Sequence, residues 1–252
     1  MIVGSTTQRE NIDSILSSLE MLGFGTLSRQ IGSDIKKHSG DNALSTLALE
    51  LSEHAQDCMS SKATVLLKRS RIPEKCSLDN LLTYKERQLD IEQIQDLGEL
   101  HFVDDMNNII LWGAPGTGKS WLAQALATEA CKQGIRTRWV SFPVLVRELQ
   151  RKSREGAQLV DSRFNYYAKF PLLCIDEFPN VKMKDLFLVQ EFFERRSNAR
   201  KSTIICSQSN PENWPDLFPI RSFGESIKGR ILQLGKTIEM KGPDLRTFKP
   251  ED

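Results

Sequence analysis

Apolar residues in the first 70 positions recur at three- and four-residue intervals, which is the spacing of an amphipathic helix. A first run stops before Gly23, a residue type that commonly ends helices, and consists of Ile12, Ile15, Leu16, Leu19 and Leu22. A second run extends from Leu44 to Leu67. The pattern predicts a small all-helical N-terminal module over residues 1–72.

Residues 73–106 are polar and carry one candidate helix start, at Ser77, so they predict a connector. Beyond residue 107 short apolar and β-branched runs alternate with helix-like segments. The predicted strands cover 109–112, 137–140, 172–175 and 203–206, and the predicted helices cover 120–133, a segment from about 144, and 186–196. This alternation predicts an α/β domain over residues 107–252, with a mostly parallel sheet sandwiched by helices.

The composition narrows the class of protein. Of the 252 residues, 39% are hydrophobic and 27% are charged, which is typical of a globular chain rather than a disordered one. No run approaches the ~18 apolar residues of a membrane span, and charged residues at positions 9, 10 and 13 interrupt any secretory pattern. The five cysteines and three histidines lack metal-ligand spacing. We therefore expect a cytoplasmic protein, without a membrane partner and without a metal site built from protein side chains alone.

A phosphate-binding loop follows the first predicted strand of the α/β domain. The motif GxxxxGK[ST] is matched by Gly113, Ala114, Pro115, Gly116, Thr117, Gly118, Lys119 and Ser120. Its glycines allow successive backbone N–H groups to face phosphate oxygens, and the helix that follows adds its positive end. Lys119 would neutralise the β- and γ-phosphates, and Ser120 would ligate Mg²⁺. We expect Trp121, the next residue, to contact the nucleotide as well. The alternative is a chance match, which the strand before and the helix after disfavour.

Two carboxylates end the predicted strand 172–175. Asp176 would hold Mg²⁺ at the strand's carboxyl end, and Glu177 would orient and deprotonate the attacking water. The alternative is a strand that simply leaves the sheet through a solvated acidic turn. The spacing of 57 residues from Lys119 to Asp176 leaves room for a βαβ crossover and favours the catalytic interpretation. Together, the two motifs predict an enzyme that binds and hydrolyses ATP.

With these motifs in place, the chain resembles AAA+ ATPases of the IstB/DnaC group, and in particular the IstB-like helper proteins of bacterial insertion sequences. The resemblance also covers the helical N-terminal module and four further segments, which are 68–73, 202–208, 227–232 and 239–246. It implies that Gln208 is the sensor-1 residue, Arg230 the arginine finger that acts on a neighbouring subunit, and Arg246 the sensor-2 arginine. The alternative for all three is an ordinary polar residue at the surface. The sequence departs from the family at Lys228, where relatives usually have an acidic residue before the arginine, and at Pro179.

Basic residues suggest where DNA would bind. They form three groups, which are Lys36 with Lys37; Lys62 with Lys68, Arg69 and Arg71; and Arg147, Arg151, Lys152 and Arg154. On charge alone the last group is a solvated helix face, partly compensated by Glu148 and Glu155. The resemblance instead implies contacts between this group and the phosphate backbone of duplex DNA, without sequence specificity.

The resemblance implies a DNA-dependent ATPase that assembles into an oligomer on DNA and serves a transposase as helper and target-site regulator. A helicase loader of the DnaC type is the alternative that uses the same nucleotide site. A nucleotide-gated binding module with negligible hydrolysis is a third, which Lys119, Asp176 and Glu177 disfavour. The expected ligands are ATP and Mg²⁺.

Overall fold

The computed structural model describes residues 3–25, 28, 41–81, 89–179 and 182–247. Lys36 and Lys37, which the sequence suggested as DNA contacts, lie outside these residues. The chain clusters into two compact units: Met1–Val65 with Lys132–Gly134, and Leu66–Cys131 with Ile135–Asp252. We call them the N-terminal and the C-terminal unit. The division into module, connector and ATPase domain over 1–72, 73–106 and 107–252 stays a prediction.

The N-terminal unit is helical where it is described. Helix α1 spans Val3–Met21, and helix α2 spans Asp41–Ser70, of which the last residues belong to the C-terminal unit. Ile15 and Leu19 of α1 form a small apolar cluster with Ala48, against which Leu51 packs. Within the described ranges, no helix combines the length and apolar character that a membrane span requires.

The C-terminal unit is built on a five-stranded parallel sheet in the order β2-β3-β4-β1-β5. The strands are β1 (Asn108–Trp112), β2 (Thr137–Ser141), β3 (Leu172–Phe178), β4 (Ser202–Ser207) and β5 (Gly235–Glu239). The first four were predicted. Strand β5 was missed because it lies at an edge and buries only Ile238, so its sequence carries no apolar run.

Helices cover both faces of this sheet. They are α3 (Ile91–Gly98), α4 (His101–Asp104), α5 (Lys119–Lys132), α6 (Phe142–Glu155), α7 (Ala157–Ala168), α8 (Leu186–Asn198) and α9 (Arg221–Leu232). Short 3₁₀ turns occupy Leu78–Asn80, Met183–Asp185 and Pro211–Leu217. The helix predicted from about residue 144 is α6, which ends before Gly156 at φ 142°, and the helix α7 that follows was not predicted separately. The candidate helix start at Ser77 is the N-cap of the first 3₁₀ turn.

Successive side chains of each central strand point to opposite faces of the sheet, so two apolar cores form. Ile110 of β1 belongs to one core, with residues of α6 to α9, whereas Ile109 and Leu111 belong to the other, with residues of α5. The second core also contains Ile94 and Leu97 of α3. The polar connector therefore includes a helix that packs directly on the sheet, which its overall polarity did not predict.

Arg196 of α8 is a buried cation that ties three segments together. Its guanidinium donates to Thr203 Oγ1 at 2.9 Å, to the carbonyl oxygens of Tyr167 and Phe170 at 2.8 and 3.1 Å, and to that of Ser202. Burial lowers the pKa of Arg196 to about 9. These oxygens belong to the end of α7, to the turn before β3 and to the start of β4, so Arg196 supports the amino ends of these strands, opposite the phosphate loop.

Candidate nucleotide-binding site

The phosphate loop connects the end of β1 to the start of α5, as the sequence predicted. Gly113, Gly116 and Gly118 have φ of 144°, 78° and 89°, a region that favours glycine. A Cβ added at Gly113 would lie 2.4 Å from the Met240 carbonyl oxygen, and one added at Gly116 would lie 1.9 Å from the Asp244 carboxylate. The glycines are therefore needed twice: for the backbone conformation of the loop, and for the close approach of the segment after β5.

Lys119 lies inside the loop that it ends. Its side chain is buried, and Nζ donates to the carbonyl oxygens of Gly113 at 2.8 Å and Ala114 at 2.6 Å. An ammonium has three N–H donors, so these two bonds orient it and leave one for an anion. Burial lowers the pKa of Lys119, while the Asp176 carboxylate acts in the opposite direction.

Ser120 and Asp176 meet although 56 residues separate them. Ser120 Oγ donates to Asp176 Oδ1 at 3.0 Å, and the same carboxylate oxygen accepts from the backbone N–H of Glu177 at 2.9 Å. A hydroxyl beside a carboxylate is an oxygen donor set that suits Mg²⁺. The pair therefore fits the cation that the sequence predicted, and a bound Mg²⁺ would neutralise phosphate charge there.

Glu177 is exposed and has a φ of 62°, which is uncommon for any residue other than glycine. It lies in a bulge, because β3 advances three residues from Ile175 to Phe178 while the partner β4 advances two, from Ile205 to Ser207. The extra residue turns the chain so that Phe178 is buried and Glu177 stands out of the sheet. The sequence predicted the role of Glu177 but not this bulge.

An aromatic cluster supports that bulge. The ring of Phe178 contacts Phe142, Phe193 and Trp214 edge to face, with centroid distances of 4.8, 5.6 and 4.6 Å. The Trp214 indole Nε1 donates to Ser207 Oγ at 3.0 Å. Ser207 precedes Gln208, which is exposed just after β4. Glu177 and Gln208 therefore each adjoin a buried residue, Phe178 and Ser207, that contacts one cluster. Phe178 and Trp214 carry no motif by which a sequence could identify them.

The segment after β5 lies against the phosphate loop. Leu245 N donates to the Gly116 carbonyl oxygen at 3.0 Å. Arg246 binds Asp244 through two bonds, from Nε to Oδ1 at 2.9 Å and from Nη2 to Oδ2 at 2.7 Å. Hydrogen bonds within this pair raise the pKa of Arg246 and lower that of Asp244. Arg246 is thus held beside the loop, where the resemblance predicted a sensor arginine.

A cavity of about 580 Å³ opens at the loop. Its walls come from the loop, from the segment after β5 and from the connector, and consist of Glu74, Lys75, Cys76, Ser77, Asn80, Gly116, Gly118, Lys119, Ser120, Trp121, Leu245 and Arg246. The volume is within the range of small-molecule sites. Trp121 was predicted as a contact, whereas the connector residues 74–80 were not, since nothing in their sequence marks a ligand.

Comparison with known proteins decides the family. The family model described as IstB-like ATP binding protein matches residues 30–250. The chain belongs to this family. The ATP-binding protein of insertion sequence IS232 from Bacillus thuringiensis subsp. berliner is 24% identical to it over 243 residues, which are 94% of this chain and 96% of the relative. The ATP-binding protein of insertion sequence IS21 from Pseudomonas aeruginosa is 27% identical over 182 residues, 71% of this chain and 68% of the relative.

Solved structures show the same fold for this IstB-like chain. DnaI aligns with a TM-score of 0.57 at 22% identity, covering 68% of this chain and 91% of that one. The DnaC helicase loader aligns with a TM-score of 0.56 at 21% identity, covering 68% and 99%. The predicted P-loop AAA+ architecture, with a parallel sheet between helices, is therefore confirmed.

Arg230 of this family member is not among the residues that line the cavity. It lies on α9, is half-buried, and binds Glu194 of α8, with Nη2 at 3.0 Å from Oε2. Its Nη1 also donates to the carbonyl and hydroxyl oxygens of Ser226. The structure thus places Gln208 and Arg246 on elements that adjoin the nucleotide loop or the acidic strand end, and Arg230 in an ion pair within its own chain.

Arg147, Arg151 and Arg154 form a stripe on the exposed side of α6, and Lys152 lies beside this stripe and is partly buried. Arg147 and Arg154 are exposed, and no carboxylate of the described part of the chain forms an ion pair with either. Arg151 and Lys152 both pair with Glu155, at 3.9 and 2.5 Å. The sequence also suggested Glu148 as a compensating charge.

The structure has the suggested Glu155 in ion pairs with these cations, whereas Glu148 contacts α7. Glu148 accepts from the Tyr167 hydroxyl at 2.6 Å and pairs with Arg163 of α7 at 3.3 Å. These contacts bind the carboxylate to α7, and so it does not neutralise Arg147.

The remaining predicted DNA contacts lie at the end of α2. Lys68, Arg69 and Arg71 are exposed, and the carbonyl oxygen of Arg69 accepts from Arg138 Nη1 of β2 at 2.9 Å. This backbone contact anchors the end of α2 on the sheet edge. The three basic side chains are left at the surface.

Proposed function

We propose that this chain hydrolyses ATP, assembles with copies of itself on DNA, and in that state assists a transposase. The observation that supports the first part is that Lys119, the Ser120–Asp176 pair and Glu177 all lie at the carboxyl end of the parallel sheet. Family membership supports the second part, because the matched relatives are named as ATP-binding proteins of insertion sequences.

The triphosphate lies along the loop, where backbone N–H groups and the Lys119 ammonium bind its oxygens. The connector residues 74–80 form the other wall of the cavity and hold the nucleoside. Glu177 orients the attacking water and accepts its proton, because the bulge leaves its side chain exposed at the end of β3. Gln208 offers an amide hydrogen bond to the same water.

Two arginines bind phosphate oxygens of two different nucleotides. Arg246 binds phosphate oxygens of its own chain's nucleotide, since it already lies beside the loop. Arg230 binds the γ-phosphate of a neighbouring copy, and its guanidinium suits that task because it stays charged and bonds bidentately. A single copy would therefore hydrolyse ATP slowly, and assembly on DNA would raise the rate.

The DNA contact is the stripe on α6, formed by Arg147, Arg151 and Arg154, together with Lys152 beside it. Cations on one helix face bind the phosphate backbone and read no bases, so binding depends strongly on salt. Lys68, Arg69 and Arg71 form a second basic group near the connector.

The test measures ATP turnover with and without duplex DNA, together with the molecular mass in solution in ATP and ADP. The proposal expects a slow enzyme of low mass that becomes larger and faster with ATP and DNA. Lys119→Ala is the matched negative control for nucleotide binding. A monomer that hydrolyses ATP at full rate without DNA would contradict the role of Arg230 in a neighbouring copy. Capture of a hexameric helicase instead of a transposase would favour the helicase-loader alternative.

A further inference from the structure

A second group of cations faces the α6 stripe from the other side of a groove. Lys182 and Lys184 are exposed residues of the segment between β3 and α8, and together with Arg147 they line a groove of about 210 Å³. Neither lysine forms an ion pair with a carboxylate of the residues that the structure describes. No motif marks these two lysines, which lie two residues apart in the sequence.

The floor of the groove joins its two walls. Gln150 of α6 donates from Nε2 to the carboxylate of Asp185, which is buried at the end of the Met183–Asp185 turn. Asp185 is the acidic group of the groove and is bound to Gln150. The cations therefore exceed the carboxylates among the lining residues by three to one. A groove of this charge, with two walls held together by a hydrogen bond, suits an anion that lies between them.

A phosphodiester backbone fits this arrangement better than an isolated anion. Outside the groove, Arg151 and Arg154 follow Arg147 by four and seven residues, which places them on the same face of α6. At 1.5 Å of rise per residue, the three arginines extend over about 10 Å of the helix. An extended polyanion can contact all of them in sequence, whereas a single phosphate cannot.

The groove is also connected to the nucleotide site, through the contact between Phe142 and Phe178. Helix α6 begins with Phe142, whose ring packs edge to face on Phe178 at 4.8 Å. Phe178 follows Glu177 directly, and Glu177 has the uncommon positive φ of the bulge. Small shifts of α6 therefore reach the residue next to the carboxylate that handles water.

We propose that Lys182 and Lys184, with Arg147, bind DNA phosphates, and that DNA held in this groove raises ATP turnover through Phe142 and Phe178. This inference rests on the proposed function, because it names how DNA would act on the same nucleotide site. It assigns two residues and a contact route that the family resemblance does not supply.

The test uses the full chain and the double variant Lys182→Ser/Lys184→Ser. Binding to a labelled duplex of random sequence is measured by fluorescence anisotropy between about 50 and about 200 mM NaCl, with a non-hydrolysable ATP analogue present. Each lost phosphate contact removes about 0.9 from the slope of log affinity against log salt. We expect the slope to fall in magnitude by about 1.8, and turnover at saturating DNA relative to turnover without DNA to fall towards one.

Two further double variants separate charge, position and folding. Lys182→Arg/Lys184→Arg keeps both charges and should retain the parent's slope. Lys169→Ser/Lys201→Ser removes the same charge from exposed sites before β3 and β4, at the opposite edge of the sheet, and should retain both the slope and the turnover ratio. Thermal unfolding with and without the ATP analogue confirms that each variant is folded.

The outcomes are distinguishable. If the parent neither binds DNA nor responds to it, the proposed function fails and this inference fails with it. If the parent binds and responds but Lys182→Ser/Lys184→Ser has the same slope and ratio, only the inference is overturned. An unchanged ratio despite a reduced slope overturns the route through Phe142 and Phe178. Binding of labelled poly-glutamate is measured in the same way. If Lys182→Ser/Lys184→Ser loses this binding but binds DNA as the parent does, the groove binds an acidic protein segment and the inference is overturned.

Discussion

The ion pair between Arg230 and Glu194 offers a quantitative test of the arginine's role. Arg230 cannot bind a neighbour's phosphate while its Nη2 lies 3.0 Å from Glu194 Oε2. Glu194→Gln keeps the size of the side chain and removes the charge, so Arg230 is released more easily. We therefore expect the variant to have a higher ATP turnover than the parent in the presence of DNA.

The size of the effect follows from the exposure of the pair. The two side chains are 29% and 44% exposed, so the pair is comparable to a surface salt bridge, worth about 0.2–1 kcal/mol. At 25 °C this range corresponds to a factor of about 1.4 to 5 in the fraction of Arg230 that is released. The gain should shrink as salt is raised, because salt weakens the competing pair in the parent as well.

The assay is initial ATP turnover at subsaturating protein concentration with saturating DNA. Glu191→Gln is a matched control, since Glu191 lies on the same helix and pairs with Arg195 at 2.5 Å instead of Arg230. The reasoning would be refuted if Glu194→Gln were no faster than Glu191→Gln, or if it were slower than the parent. A further variant, Arg230→Ala, should lose most of the DNA-stimulated turnover and should make Glu194→Gln without effect.

Four other results are expected. Because burial lowers the pKa of Lys119, the affinity for ATP should begin to fall at a pH below ~10.4, the pKa of an ordinary lysine. ATP-binding titrations at increasing pH would show this fall, and Lys119→Arg should abolish it. Glu177→Gln should bind ATP like the parent but hydrolyse it about 10²- to 10⁴-fold more slowly in a steady-state assay, and parental turnover would remove its assignment. Trp214→Phe loses the bond to Ser207 and should reduce turnover more than nucleotide affinity, so equal losses in both would argue against support of Gln208. Arg196→Met leaves several buried oxygens without a hydrogen-bond donor and should lower the free energy of unfolding by at least about 3 kcal/mol. In a denaturant titration, a change below about 1 kcal/mol would contradict the structural role of Arg196.

Much of the nucleotide site could be predicted because its signals are local. A phosphate loop needs glycines, one lysine and one hydroxyl in consecutive positions, so its chemistry is visible in eight residues from Gly113 to Ser120. The acidic pair is likewise marked by the apolar strand that it ends. The three central strands β1, β3 and β4 were predicted for the same reason, since buried central strands are continuous apolar runs.

Other features depend on contacts between residues that are distant in the sequence. Strand β5 is stabilised by pairing with β1 rather than by its own composition, and the connector becomes a cavity wall because Leu78 and Leu81 pack against the second core. The partners of Glu148 were not visible in the sequence for a related reason. Spacing along α6 placed it beside the arginines, but Tyr167 and Arg163 of the next helix bind it on the other side.

The sequence alone determined the class of fold, the family resemblance and the chemical groups that we propose bind the triphosphate, because each is encoded in short, continuous patterns. Only the tertiary structure decided how those groups are supported and controlled: the bulge that exposes Glu177, the ion pair that holds Arg230, and the groove formed by Arg147, Lys182 and Lys184. Each of these requires two or more elements to pack at a particular distance. Periodicity within a single element carries no information about that distance.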